Sequence, residues 1–213
     1  MSDITPIGTN LSHADSLVNL EGFQVITKLG RDVSSSLYAD PSQSHPAISL
    51  ILPTCNEAVT KAGASSMFNG YLLLCMAYNE SRYKPRVNVA SKPHLIARGL
   101  VQFLYDTGRA MKPPIEDFYN PTESIYSAAQ YMRDCYNQMK KKAPTVPPSR
   151  VLGYALMAYN AGPGHTLGWY DYERGVNIVD GKKTRVSPLK YAKHINEYYR
   201  LFTGSPGPAT FLR

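Results

Sequence analysis

An acidic side chain closes a long apolar run in this sequence. Phe68 to Asn79 reads Phe-Asn-Gly-Tyr-Leu-Leu-Leu-Cys-Met-Ala-Tyr-Asn, and Glu80 follows, ahead of Ser81, Arg82 and Tyr83. Helical spacing places Leu72, Cys75, Met76 and Asn79 on one stripe and Leu73, Ala77 and Glu80 on the next. Glu80 therefore projects beside a core-facing surface. Partial burial and the negative end of the helix macrodipole both oppose its ionisation there. A carboxyl raised in this way stays partly protonated near neutral pH, as a general acid needs. Taken alone, the segment is read as well or better as a surface glutamate ending a helix, since one carboxylate is not a site.

Three further groups follow Glu80 in order. They are Ala97-Arg98-Gly99-Leu100-Val101-Gln102-Phe103 with Asp106-Thr107, then Tyr119-Asn120-Pro121 with Ala128-Ala129-Gln130-Tyr131-Met132, and last Ala158-Tyr159-Asn160-Ala161-Gly162-Pro163-Gly164. Together with Glu80-Ser81, this order resembles the catalytic domain of the soluble lytic transglycosylases, relatives of goose-type lysozyme that cleave the glycan strands of peptidoglycan. The resemblance covers about residues 65–170. It implies that Glu80 is the single catalytic acid, protonating the bond between N-acetylmuramic acid and N-acetylglucosamine and then acting as base. It implies that Gly99 and Gln102 shape the floor of a cleft, Gln102 offering its amide to sugar, and that the Tyr159 hydroxyl lies near the acid. Asn160 holds the adjacent turn or the sugar, and Ser91 matches a serine that supports the acetamido group.

The residue types suit that chemistry. Most glycosidases use two carboxylates, but a sugar bearing a 2-acetamido group supplies its own carbonyl oxygen as nucleophile, so one carboxyl suffices. In a lytic transglycosylase the muramic 6-hydroxyl then attacks and leaves a 1,6-anhydro end without consuming water. A goose-type hydrolase needs a second carboxylate to activate water, and Asp106 and Asp117 are the candidates. The lyase reading stands ahead of the hydrolase. A protein that kept the fold as a structural or wall-binding tail component and lost catalysis is the rival from another class; the joint presence of Glu80, Gln102, Tyr159 and Asn160 argues against it.

These residues need elements to hold them. The sequence predicts an α+β, mainly helical, lysozyme-like domain with small β-hairpin elements. Helices are expected from Pro46 through Ile48, Leu52 and Cys55 with Glu57 and Lys61 spaced to pair, over residues 66–80, from Leu100 to Met111, from Asn120 to the lysines at 140–142, over 150–160 and from Pro188 to Leu201. Residues 85–98 suit a loop or small hairpin, and Asp180-Gly181 between short alternating runs predicts another hairpin over 176–186. The expected organisation is an N-terminal arm or docking segment at 1–45, the catalytic domain at 46–175, and a hairpin, helix and tail at 176–213 packed on it. Tyr78, Tyr83, Tyr105, Tyr119 and Tyr159 could form a sugar-stacking wall. In a chain with 16 tyrosines, only Tyr159, fixed by its motif, is assigned a functional role.

Composition bounds the setting. The chain has 213 residues, 43% hydrophobic and 18% charged, with a net charge of +7, enough for a substantial core and a general attraction to polyanions such as acidic wall polymers. Charge alone does not choose among partners, and the reading takes peptidoglycan glycan strands as partner and expects no nucleic acid. Cys55, Cys75 and Cys135 form no CxxC pair and read as reduced core residues. The five histidines show no ligand spacing, so no metal and no cofactor are expected. The N-terminal residues lack the pattern of a signal peptide, and no apolar run is long enough to span a bilayer. The expected setting is a phage virion, in tail or internal wall-penetration machinery acting in the host periplasm or cell wall, with 1–45 contacting other virion proteins. A phage endolysin and a secreted effector are the alternatives.

Overall fold

The helix that ends beside Glu80 runs through the middle of the core. The computed structural model describes residues 46–83, 86, 88–92, 95–163, 177–179, 182–184 and 188–211. Helix α1 (Pro46–Lys61) leads into α2 (Gly70–Ser81). The start expected at residue 66 moves to Gly70 because Asn69, in extended conformation, caps the helix by accepting the Leu72 amide at 3.3 Å. Leu72, Leu73, Leu74, Cys75, Met76, Ala77 and Tyr78 are all buried, so α2 is enclosed on every side. On α1, Glu57 and Lys61 form the expected pair one turn apart, at 2.6 Å.

The other long helices surround α2. Helix α4 (Pro121–Lys142) starts where Asn120 Oδ1 accepts the amides of Thr122 and Glu123 at 3.0 and 3.2 Å, and it ends in the three lysines that suit the dipole. Helix α5 (Pro148–Ala161) stops at Gly162, whose φ of +85° and amide bond to the Ala158 carbonyl end the ladder. Helix α6 (Pro188–Thr203) buries Tyr191, Ile195, Tyr198 and Phe202 along one stripe. Helices α1, α4 and α6 pack on α2, and α5 packs on α4 and α6. One continuous core results, and the three cysteines lie in it as buried free thiols.

The β structure is small. Strands β1 (Asn88–Lys92), β2 (Leu95–Arg98) and β3 (Phe103–Leu104) form an antiparallel sheet in the order β1-β2-β3. Asn88 pairs with Arg98 and Val89 with Ala97, and the register slips between Ala90 and Lys92, so Ser91 sits at the irregularity. Strands β4 (Asn177–Val179) and β5 (Lys182–Thr184) pair as the second hairpin, Ile178 opposite Lys183. Its Asp180-Gly181 turn and the segment 1–45 lie outside the described residues. The architecture is α+β and mainly helical.

The helix expected from Leu100 to Met111 does not form. Gly99 to Gln102 is a tight turn between β2 and β3, and only the short α3 (Tyr105–Arg109) follows. Gly99 has φ +77° and Gln102 φ +53°, backbone that no continuous helix contains. The Gln102 amide closes the turn onto the Gly99 carbonyl at 3.4 Å. A Cβ on Gly99 would lie 1.9 Å from the Phe118 carbonyl oxygen, so both conformation and space demand glycine. Gly63 shares the left-handed conformation, at φ +66°, but has nothing within 4 Å of its missing Cβ. Gly99→Ala is therefore expected to lower unfolding free energy in urea by more than about 2 kcal/mol, against about 1 kcal/mol for Gly63→Ala. Equal losses at the two positions would contradict the close approach to Phe118.

Candidate active site

Glu80 reaches the site from the last turn of α2, which Arg82 closes in left-handed conformation with its amide on the Tyr78 carbonyl. Its side chain keeps part of its surface open to solvent, yet protein atoms crowd the carboxyl. Burial pushes that carboxyl up to about 7 from an ordinary 4.5. Among the described residues, the opposing influence is the Tyr191 hydroxyl from α6. Tyr191 Oη makes no hydrogen bond of ordinary geometry among the described residues, but it lies close enough to Glu80 to favour the ionised form.

Two tyrosines from α5 and α6 lie near this carboxyl, and two further aromatic rings pack against the first of them. Tyr159 of α5 stacks toward Tyr191 with centroids 6.4 Å apart and planes within 12°, and it meets Tyr131 of α4 edge-on at 5.4 Å. Phe103 of β3 lies 6.0 Å from Tyr159 and 5.7 Å from Tyr131. Burial, and next the Glu80 charge, hold the Tyr159 and Tyr191 hydroxyls well above their usual range, so both remain protonated. Tyr159 Oη donates to the Val101 carbonyl at 3.2 Å, which ties α5 to the Gly99–Gln102 turn. Gln102 Nε2 donates to the Gly99 carbonyl at 2.7 Å and braces the same turn from within.

Glu80, Gly99, Gln102 and Tyr159 are thus linked through one constellation. Asn160 is exposed at the end of α5, where Gly162 makes the helix stop, so the asparagine amide is not consumed by capping. Ser91 lies on β1, and its side chain is outside what the structure describes. Among the tyrosines considered for a sugar wall, Tyr78 and Tyr83 belong to the core at 3% and 1% exposure. Tyr105 is exposed, and Tyr119 is half-buried with its hydroxyl donating to Asn88 Oδ1 at 3.0 Å. Asp106 and Asp117 are exposed, and Asp117 is engaged in a local turn, accepting the Tyr119 amide at 2.8 Å. Neither acts on the ionisation of Glu80.

Sequence reasoning missed Tyr191. Its only signal is the α6 stripe on which Ile195, Tyr198 and Phe202 also lie, and such a stripe reads as core. Phe103 and Tyr131 stand inside the motifs but announce no role by type. The arrangement as a whole offers a carboxyl that burial keeps protonated in part at neutral pH, with two neutral hydroxyls near it.

The chain is 28% identical over 168 residues to the membrane-bound lytic murein transglycosylase F of Actinobacillus pleuropneumoniae serotype 7 (strain AP76), covering 72% of this chain and 32% of that protein. It is 32% identical over 135 residues to the membrane-bound lytic murein transglycosylase F of Yersinia pestis (strain Pestoides F), covering 63% of this chain and 26% of that one. The chain therefore spans about a third or less of the length of these relatives. The family profile of the transglycosylase SLT domain matches residues 57–179, from the end of α1 through β4, and so takes in Glu80, the Gly99 turn and Tyr159. With more than half of its length matched, the chain belongs to the transglycosylase SLT domain family.

Proposed function

We propose that the protein is a peptidoglycan lytic transglycosylase in which Glu80 is the sole acid and base. The observation that carries this reading is the raised carboxyl of Glu80 among neutral tyrosines, on whose ionisation no second carboxylate among the described residues acts. Protonated Glu80 gives its proton to the glycosidic oxygen between N-acetylmuramic acid and N-acetylglucosamine. The muramic acetamido oxygen closes on the anomeric carbon and stands in for the missing carboxylate. The Glu80 carboxylate then takes the proton of the muramic 6-hydroxyl as that oxygen attacks the anomeric carbon and displaces the acetamido oxygen, which restores the acetamide and leaves a 1,6-anhydro end. Gly99 and Gln102 form the cleft floor, Tyr159 faces the acid, and Ser91 and Asn160 contact sugar. Relatives named as lytic murein transglycosylases support the activity, and the net charge of +7 favours an anionic wall.

The setting we propose is a phage particle that penetrates the host wall locally, with residues 1–45 as docking segment. Its support is a segment rich in Ser, Asp and Asn without sustained apolar periodicity. Among the described residues no helix is long and apolar enough to cross a membrane. Mass spectrometry of purified virions is expected to find the chain, and its absence from them would remove this setting.

In a zymogram with embedded peptidoglycan, wild type clears and Glu80→Gln loses about 10²–10⁴-fold of activity. Released muropeptides carry 1,6-anhydro ends; reducing ends in their place would make the enzyme a hydrolase. The pH dependence follows from the raised carboxyl. The first step needs protonated Glu80, so kcat/KM should be level below pH 7 and fall as pH rises through about 7. Tyr191→Phe removes the hydroxyl that favours ionisation, so the fall should move to higher pH. A fall beginning near the ordinary 4.5 would contradict the buried-acid account.

A further inference from the structure

We propose that Arg82 is a positioning residue, which ties the end of α2 to α6 and thereby sets Tyr191 against Glu80; this rests on the catalytic reading of Glu80 above. Arg82 and Tyr83 follow Glu80 and Ser81 with φ of +53° and +59°. Two successive non-glycine residues in left-handed backbone are uncommon and cost on the order of 1–3 kcal/mol each unless their surroundings hold them. Tyr83 is held by burial. Arg82 is exposed and makes no ion pair among the described residues, so surface charge pairing does not account for its placement.

Its guanidinium is instead fixed at both edges and on its face. Nη1 donates to the Tyr78 carbonyl at 3.0 Å, within the last turn of α2. Nη2 donates to Tyr198 Oη of α6 at 3.1 Å. The planar group lies 4.4 Å from the Tyr78 ring centroid and 5.3 Å from that of Tyr198, and those two rings meet edge-on at 5.0 Å. Phe202, one turn beyond Tyr198, closes on Tyr78 at 5.9 Å. Arg82 thus joins the two helices at one point.

Tyr191 and Tyr198 are seven residues apart on α6, on one face and about 10 Å along the axis. A helix transmits a shift at one to the other. Loosening the Arg82–Tyr198 contact displaces α6 relative to the α2 terminus, and Tyr191 moves from the Glu80 carboxyl with it. Misplacement of about 1 Å near reacting groups can cost as much as 10²-fold in rate. A lysine cannot replace this arginine, because one ammonium cannot present a planar fork to the Tyr78 carbonyl and the Tyr198 hydroxyl while lying on both rings.

The test is a double-mutant cycle on a soluble tetrasaccharide of alternating N-acetylglucosamine and N-acetylmuramic acid, with folded fractions matched by near-ultraviolet circular dichroism. Arg82→Met is expected to lower kcat about tenfold with KM changed less than about twofold. In the Tyr191→Phe background the same substitution should cost less than about twofold, because the hydroxyl it would displace is already gone. Tyr198→Phe keeps the ring and deletes only the accepting hydroxyl; it should reproduce the loss, and it serves if Arg82→Met does not fold. A merely stabilising arginine predicts the same loss in both backgrounds, and that additivity, or an unchanged kcat in both variants, would overturn the proposal. A wild type inactive on the tetrasaccharide would instead remove the catalytic reading on which it rests.

Discussion

A carboxyl enclosed by protein without a countercharge is the constraint on which the rest of this structure depends. An ionised group in that position has lost much of its hydration, and among the described residues no cation compensates it. The group responds by holding its proton. Tyr159 of α5 and Tyr191 of α6 lie near the carboxyl, and Phe103 of β3 and Tyr131 of α4 pack behind Tyr159, so no single element makes the site. The helix that carries Glu80 runs through the core with its residues from Leu72 to Tyr78 buried, so the packing that forms the core also sets the position of the acid.

The turn at Gly99 completes the arrangement by geometry alone. Its backbone needs left-handed residues at both ends, its first residue lies against the Phe118 carbonyl, and its third offers a carbonyl to Tyr159. Because the Tyr159 hydroxyl is used by Val101, its ring stays fixed between Tyr131 and Tyr191. Gln102, bonded within the turn, is oriented by the backbone it braces. A preorganised surround of this kind does not need to rearrange when charge develops in the reaction.

Much of this was legible in the sequence, for reasons that differ by element. Helices α4 and α5 announce themselves through Asn120-Pro121 and Ala161-Gly162, where cap chemistry is local. The hairpin at 177–184 is signalled by Asp-Gly between alternating runs. The region after Gly99 misled, because Leu100, Val101 and Phe103 carry a helix-like apolar spacing, whereas the contact that decides the backbone is a tertiary one with Phe118. Tyr191 was hidden for a related reason. Burial stripes look alike whether a tyrosine faces aliphatic core or a carboxyl, and only the approach of α6 to α2 tells them apart. The expected effect of burial on Glu80 was readable from its place in the helix, and the structure gives burial as the dominant cause.

The most direct test of the central claim is the titration of the Glu80 side chain itself, followed by carbon-13 NMR of the selectively labelled carboxyl and assigned with Glu80→Gln. The account predicts a midpoint at about 7. A midpoint near the ordinary 4.5 would show that the carboxyl is solvated in the folded protein, and the buried acid on which the proposed mechanism depends would not exist.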